Sequence, residues 1–292
     1  MHKNWSMSEK PKTHQQSLKI PKPILITAKI TEAISPKLAM KFAAKLFTSP
    51  IKHKLPKREI GMDKNSLQQN VFIQNLGKEI VVYNYGSSDK KILLVHGWSG
   101  RGTQLVKIAD EMLKLGYSTL SFDAPAHGKS SGKISNMAEF IVSILELEKK
   151  FGPFEYAIGH SLGGMSILNA IKRGLNVKKA VIIGSGDIVE DIMDDFIEKL
   201  GMNIAISKKM KASFEKKIKE PMDNFSAYRA AKEVTIPVLV IHDKEDEDVP
   251  VKAAYHIRKN LKDGELVITE GLGHRKILGD TKVIKKIIEF LN

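Results

Sequence analysis

No cysteine occurs among the 292 residues of this chain. Disulfides and thiolate-held metal centres are thereby excluded, and a reducing compartment suits the composition. No run of about 18 apolar residues occurs either, so no membrane-spanning helix is expected. Residues Met1 to Lys22 are polar and basic without an apolar centre, which does not match a secretory signal. A cytoplasmic protein is expected, with peripheral membrane contact as the alternative. Acidic residues are in short supply: Asp and Glu number 33 against 47 Lys and Arg, for a net charge of +14. The imbalance sits at one end. Residues 1–60 hold 13 Lys or Arg against Glu9, Glu32 and Glu59, so this stretch carries +10 and the remainder only +4. A basic arm suits an anionic partner such as a membrane surface. It lacks the interleaved aromatics of a nucleic-acid module, so no nucleic acid is expected. A merely solvated face is the other reading.

What is present is ordinary for a soluble globular protein: 42% apolar and 27% charged residues, at a length that suits one large α/β domain with an insertion. Residues 1–22 lack periodicity and are expected to form a loose arm. Over residues 24–48, Ile24, Ile30, Ile34, Leu38, Phe42 and Leu46 recur at helical spacing, with Pro36 opening a second helix. This basic amphipathic pair either lies on a membrane or packs its stripe on the body of the protein. Residues 49–68, with Pro50, Pro56 and many charges, read as a linker. The division expected is an arm with an amphipathic helical segment over 1–68 and a catalytic domain over 69–292.

From residue 70 the rhythm changes. Val71–Ile73 and Ile80–Tyr83 suggest a hairpin around Gly77. Apolar strand runs at 92–95, 117–122, 154–158, 180–183, 238–241 and 265–269 alternate with helical patterns at 102–115, 135–151, 162–173, 251–260 and 280–291. That alternation predicts an α/β fold with a mostly parallel, doubly wound sheet. Residues 187–233 interrupt it with helical patterns only, around 187–200, 204–219 and 224–233, and read as a small helical cap.

Chemistry is concentrated at the junction of one strand and its helix. Gly159-His160-Ser161-Leu162-Gly163-Gly164 is a nucleophile-elbow pattern: a serine on a sharp turn between two glycines. A serine is a poor nucleophile at neutral pH without a base, and the base needs an orienting carboxylate. The base expected is His274, in Glu270-Gly271-Leu272-Gly273-His274, after the last strand. The acid lies in His242-Asp243-Lys244-Glu245-Asp246-Glu247-Asp248. Asp246 is mid-loop and is preferred; Asp248 sits nearer the next helix, and Asp243 reads as a turn residue. The oxyanion needs backbone donors. Leu162 supplies one and Trp98, in the loop His96-Gly97-Trp98, the other. His96 and His127 read as loop-bracing residues. Arg101 and Arg275 lie near the expected mouth and read as salt-bridge partners or as contacts for an anionic group.

Taken in order, His96-Gly97-Trp98, Asp123 to Ser130, Gly159 to Gly164, His242 to Pro250 and Gly271 to His274 resemble the α/β-hydrolase superfamily over about residues 70–292. The nearest likeness is to bacterial carboxylesterases and lysophospholipase-like members. The resemblance implies a Ser161–His274–Asp246 triad, an acyl-enzyme and a cap between the strands ending near Ile183 and starting near Pro237. It implies neither metal nor organic cofactor. The family often places glycine after the histidine of the acid loop, where this chain has Asp243. The expected activity is cleavage of a small-molecule carboxylic ester through an acyl-enzyme on Ser161. Thioester or amide cleavage by the same triad, a membrane-recruited lipid hydrolase and a silent binding protein are the alternatives. A carboxylate nucleophile of the dehalogenase kind is excluded by Ser161.

Overall fold

The computed structural model describes residues 20–292. The loose arm expected over residues 1–22 falls almost wholly on 1–19, outside the described residues. The chain then forms helices α1 (Lys22–Ile34) and α2 (Pro36–Phe47), a short 3-10 turn at Lys57–Glu59 and helix α3 (Ile60–Asn65). Ser35 separates the first two, its hydroxyl accepting from the Lys37 N–H at 3.2 Å while Pro36 opens α2.

Strands β1 (Leu67–Ile73) and β2 (Lys78–Tyr85) form the expected hairpin, with Gly77 in the left-handed conformation that closes its turn. Then follow β3 (Lys91–Val95), α4 (Val106–Lys114), β4 (Ser118–Asp123), α5 (Met137–Phe151), β5 (Tyr156–His160), α6 (Leu162–Lys172) and β6 (Lys179–Ile183). Helices α7 (Val189–Lys199), α8 (Ala205–Ile218) and α9 (Ala227–Glu233) come next. The chain ends with β7 (Val238–Asp243), α10 (Lys252–Asn260), β8 (Gly264–Thr269), α11 (Gly273–Lys276) and α12 (Thr281–Leu291).

The eight strands form one sheet in the order β1-β2-β4-β3-β5-β6-β7-β8. The β1–β2 and β2–β4 pairings are antiparallel and the others parallel. Alternate residues of the central strands feed two cores. Leu93, Val95, Ala180, Ile182, Val238 and Val240 face the core shared with α5, α6, α9 and α10. Ile92, Leu94, Val181, Ile183, Leu239 and Ile241 face the core shared with α4 and α12. Both faces are covered, which is why these strands read as continuous apolar runs rather than as alternating ones. At the C-terminus, Asp280 caps α12 by accepting from the Lys282 and Val283 N–H groups at 2.9 and 3.0 Å, and Val283, Ile284, Ile287 and Leu291 turn inward.

Two expectations need correction. Residues 49–66 are not a passive linker. Ile51 N–H donates to Ser99 Oγ at 2.9 Å, Lys52 Nζ to the Ser130 carbonyl at 2.6 Å, and Glu59, 2% exposed, accepts from Thr103 Oγ1 at 2.8 Å. This stretch braces the loop after β3. Helix α4 also starts at Val106 rather than 102, because residues 101–104 are held in that loop: Gly102 N–H donates to Asp123 at 2.7 Å and Gln104 Oε1 accepts from Gly97 N–H at 2.9 Å.

Candidate active site

The C-terminal ends of the parallel strands all point to one edge of the sheet, where ligands bind in open α/β folds. At the end of β5 the chain turns sharply into α6. Ser161 sits on that turn at φ 53° and ψ −119°, a strained backbone for a non-glycine residue. The flanking glycines are required by space. A Cβ on Gly159 would lie 2.6 Å from the Gly163 backbone, and one on Gly163 would lie 2.3 Å from the Val95 carbonyl. Ser161 N–H donates to the Ile183 carbonyl at 2.9 Å, which fixes the turn against β6. Leu162 is the first residue of α6, so its N–H is free of helical pairing.

His274 follows β8 on α11, with Gly271 and Gly273 at positive φ around it. Its Nδ1–H donates to Asp246 Oδ2 at 2.7 Å, which leaves Nε2 as the ring nitrogen not engaged by the carboxylate. The other Asp246 oxygen accepts from the Asp248 and Val249 N–H groups at 2.9 and 2.8 Å. Burial alone would raise this carboxyl. The hydrogen bonds from His242, His274 and Val249 outweigh it and hold Asp246 well below the usual carboxylate range. Of the three aspartates weighed in this loop, Asp246 is the one that meets His274. Asp248 lies 4.0 Å from Arg275 instead. Asp243 is more than a turn residue: it is buried and accepts from Thr269 Oγ1 at 2.7 Å, Leu272 N–H at 3.1 Å and Glu245 N–H at 3.0 Å. It ties the acid loop to the loop that carries His274.

The loop after β3 closes over the elbow. A Cβ on Gly97 would lie 3.0 Å from the Ser161 Cβ, so any larger residue would push the two segments apart. His96 braces the loop as expected. Its Nδ1–H meets the Gly97 carbonyl at 2.7 Å, and its Nε2 accepts from Ala124 N–H at 3.1 Å. His127 Nδ1–H meets the Pro125 carbonyl at 3.0 Å and its ring stacks edge-on to Trp98. Burial keeps both imidazoles neutral, with His96 lowered to about 4 and His127 to about 3. Arg101 is structural, its Nη2 donating to the His53 carbonyl at 2.8 Å and its Nε lying 3.7 Å from Glu59.

Two histidines beside the triad candidates were not singled out by sequence. His160, next to Ser161, donates from Nε2 to the His274 carbonyl at 2.8 Å and fixes the backbone of His274. His242, at the end of β7, points Nε2 at the Val249 carbonyl, 2.9 Å away, and at Asp246 Oδ2, 3.4 Å away. Asp246 thus lies between two imidazoles. A histidine inside an apolar strand end reads as core; only its four-residue separation from Asp246 hinted at this.

Ser161, Leu162, Trp98 and His274 line a cavity of about 1680 Å³ whose walls come from α2, α7, α8 and α10. Phe47 meets Phe196 and Phe214 across it, with ring centroids 5.2 and 6.3 Å apart. This is larger than the usual small-ligand pocket of about 300–1,000 Å³ and mostly apolar. Among the described residues no cluster of three or more His, Cys, Asp or Glu side chains is placed to hold a metal ion.

Known proteins share this fold. The model of the alpha/beta hydrolase family matches residues 92–279. The chain belongs to the alpha/beta hydrolase family. Among solved structures, an esterase from Exiguobacterium antarcticum superposes with a TM-score of 0.62 at 17% identity, covering 77% of this chain and 99% of its own. An esterase from Pyrococcus furiosus gives 0.63 at 16% identity over 84% of this chain and 97% of its own. A membrane phospholipase A, described as a bacterial virulence factor, gives 0.60 at 16% identity over 92% of this chain and 96% of its own. At these identities the likeness is one of fold. No curated protein matches the chain in sequence.

Proposed function

We propose that this chain is a serine hydrolase that cleaves carboxylic esters through an acyl-enzyme on Ser161. The observation that carries the reading is the 2.7 Å hydrogen bond from His274 Nδ1 to Asp246, which leaves Nε2 not engaged by the carboxylate on a residue that lines the same cavity as Ser161. Ser161 Oγ attacks the ester carbonyl as His274 Nε2 takes its proton. Asp246 holds the imidazole tautomer and stabilises its positive charge. The Trp98 and Leu162 N–H groups receive the oxyanion. The tetrahedral intermediate collapses, His274 returns the proton to the departing alcohol, and the acyl group remains on Ser161. Water, deprotonated by His274, then releases the acid. No metal or organic cofactor enters these steps. Two of these structural neighbours are esterases and one is a phospholipase, which supports an ester rather than an amide substrate.

The test is hydrolysis of a short p-nitrophenyl ester by the full chain and by Ser161→Ala. Wild type is expected to turn over, and kcat of the variant to fall by at least about 10³-fold with its fold intact by circular dichroism. Equal rates in the two proteins would reject the assignment.

A further inference from the structure

Helix α1 has two apolar sides. One packs on the protein through Ala28, fully buried, and through Glu32, whose carboxylate accepts from the Asn203 N–H at 2.8 Å. The opposite side faces solvent. Ile26, Ile30 and Ile34 are 58%, 54% and 68% exposed, and Leu38 in the first turn of α2 is 41% exposed. Residues four apart share one face of a helix, so the three isoleucines form a single stripe. Such a contiguous apolar stripe on a soluble surface marks a contact site. Exposed Lys22, Lys29 and Lys37 border it. Glu32 is the only acidic residue in α1 and α2, and its carboxylate is engaged by the Asn203 N–H.

We propose that α1 and the start of α2 dock on an anionic lipid surface, and that the ester cleaved is an acyl lipid drawn from that surface. The second clause rests on the serine hydrolase reading. Length and charge argue for a helix lying on the bilayer. Thirteen residues span about 20 Å, short of the roughly 30 Å hydrocarbon core, and no helix among the described residues is long and apolar enough to cross a membrane. An apolar stripe edged by lysines suits the headgroup boundary of an anionic leaflet, where each lysine strengthens binding by about five-fold. A second copy of the chain fits less well, because a two-fold contact would bring like lysine rows together. Residues 1–19 fit less well too, since they carry four lysines against Glu9 and no apolar stripe at helical spacing.

The cavity supplies the link to the substrate. Ile20, Leu25, Met40, Ala44 and Phe47, from the approach to α1 and from α1 and α2 themselves, line it. The helix pair therefore presents an apolar outer face and an apolar wall of the space leading to Ser161. An acyl chain leaving the bilayer beside α1 enters apolar surroundings without crossing water.

Flotation of the full chain with phosphatidylcholine vesicles, and with vesicles in which part of that lipid is replaced by phosphatidylglycerol, tests the proposal. The wild type is expected to partition onto the anionic vesicles. Ile26→Ser/Ile30→Ser/Ile34→Ser, which changes only exposed side chains, should lower that partition by at least about ten-fold and lower cleavage of a vesicle-borne ester in step. Cleavage of a water-soluble p-nitrophenyl ester should stay within about two-fold. Lys22→Glu/Lys29→Glu should weaken only the anionic-vesicle binding. Wild type indifferent to lipid charge would overturn the proposal. So would a triple variant that binds as well as wild type, or one that changes only the sedimenting mass. Vesicle binding without hydrolysis of either ester would leave the docking in place and reject the hydrolase reading.

Discussion

Asp246 is the most heavily engaged carboxylate of the site. One oxygen takes two backbone N–H groups, and the other takes His274 and faces His242. His242 touches no cavity space and acts through Asp246, so it is a positioning residue. Its loss removes one donor from a buried carboxylate, worth about 1.5–3 kcal/mol for a hydrogen bond to a charged group. His242→Leu is expected to lower kcat by about ten-fold or more with KM little changed. His242→Gln, which keeps a donor in reach, should recover part of the rate. The pair of kinetic profiles checks this. A merely structural role would lower stability in His242→Leu while leaving kcat per folded molecule intact.

At the scale of elements, Ser161, Asp246 and His274 follow the C-terminal ends of β5, β7 and β8, and the loops that carry them are cross-braced. The segment 49–66 braces the loop after β3 that bears Trp98, and Glu59 is its pin. Glu59→Ala would leave Thr103 and Arg101 without their buried partner, at a cost of about 1–3 kcal/mol. Urea unfolding should show a lower midpoint with an unchanged slope. Activity should fall through the loop that bears Trp98, while phosphonate labelling of Ser161 persists.

This brace also shows where sequence reading stops. The central strands were legible because Ile92 to Val95 and Val238 to Ile241 are unbroken apolar runs with turns behind them, and the elbow because its glycines follow from steric need. The order of Ser161, Asp246 and His274 along the chain pointed to the pair that the structure joins, His274 and Asp246. Residues 49–66 were not legible: prolines and lysines look like a surface link, and the burial of Glu59 depends on Thr103 and Arg101, which lie more than 40 positions away. Asp243 was misread as a turn residue and His242 was passed over. The partners of Asp243 at Thr269 and Leu272 become its neighbours only when β7 and β8 pair, whereas His242 meets Asp246 through the turn of its own loop.

Over the whole molecule, buried titratable groups set the response to acid. His96 and His127 are held neutral by burial, their values lowered from 6.5 to about 4 and about 3, and His160 is lowered too. Between 6.5 and these values the unfolded chain binds more protons than the folded one, so stability rises with pH across that window and falls as pH drops. Each histidine contributes about 1.4 kcal/mol per pH unit there. Asp246 and Asp243, held low in the fold, add a further loss below their ordinary value of 3.8. Asp123 and Asp187, raised by burial, oppose the slope at the acid end. Chemical unfolding at a series of pH values should give a plateau above pH 7 and a steep decline below 6.5. His96→Asn should flatten the decline.

Reaction of the full chain with a fluorophosphonate, followed by peptide mass spectrometry, tests the account at its centre. One adduct per chain is predicted, on the peptide that carries Ser161, and His274→Ala should slow its formation by at least about 10²-fold. An unmodified Ser161 peptide, or an adduct on another residue at the same rate in His274→Ala, would contradict it.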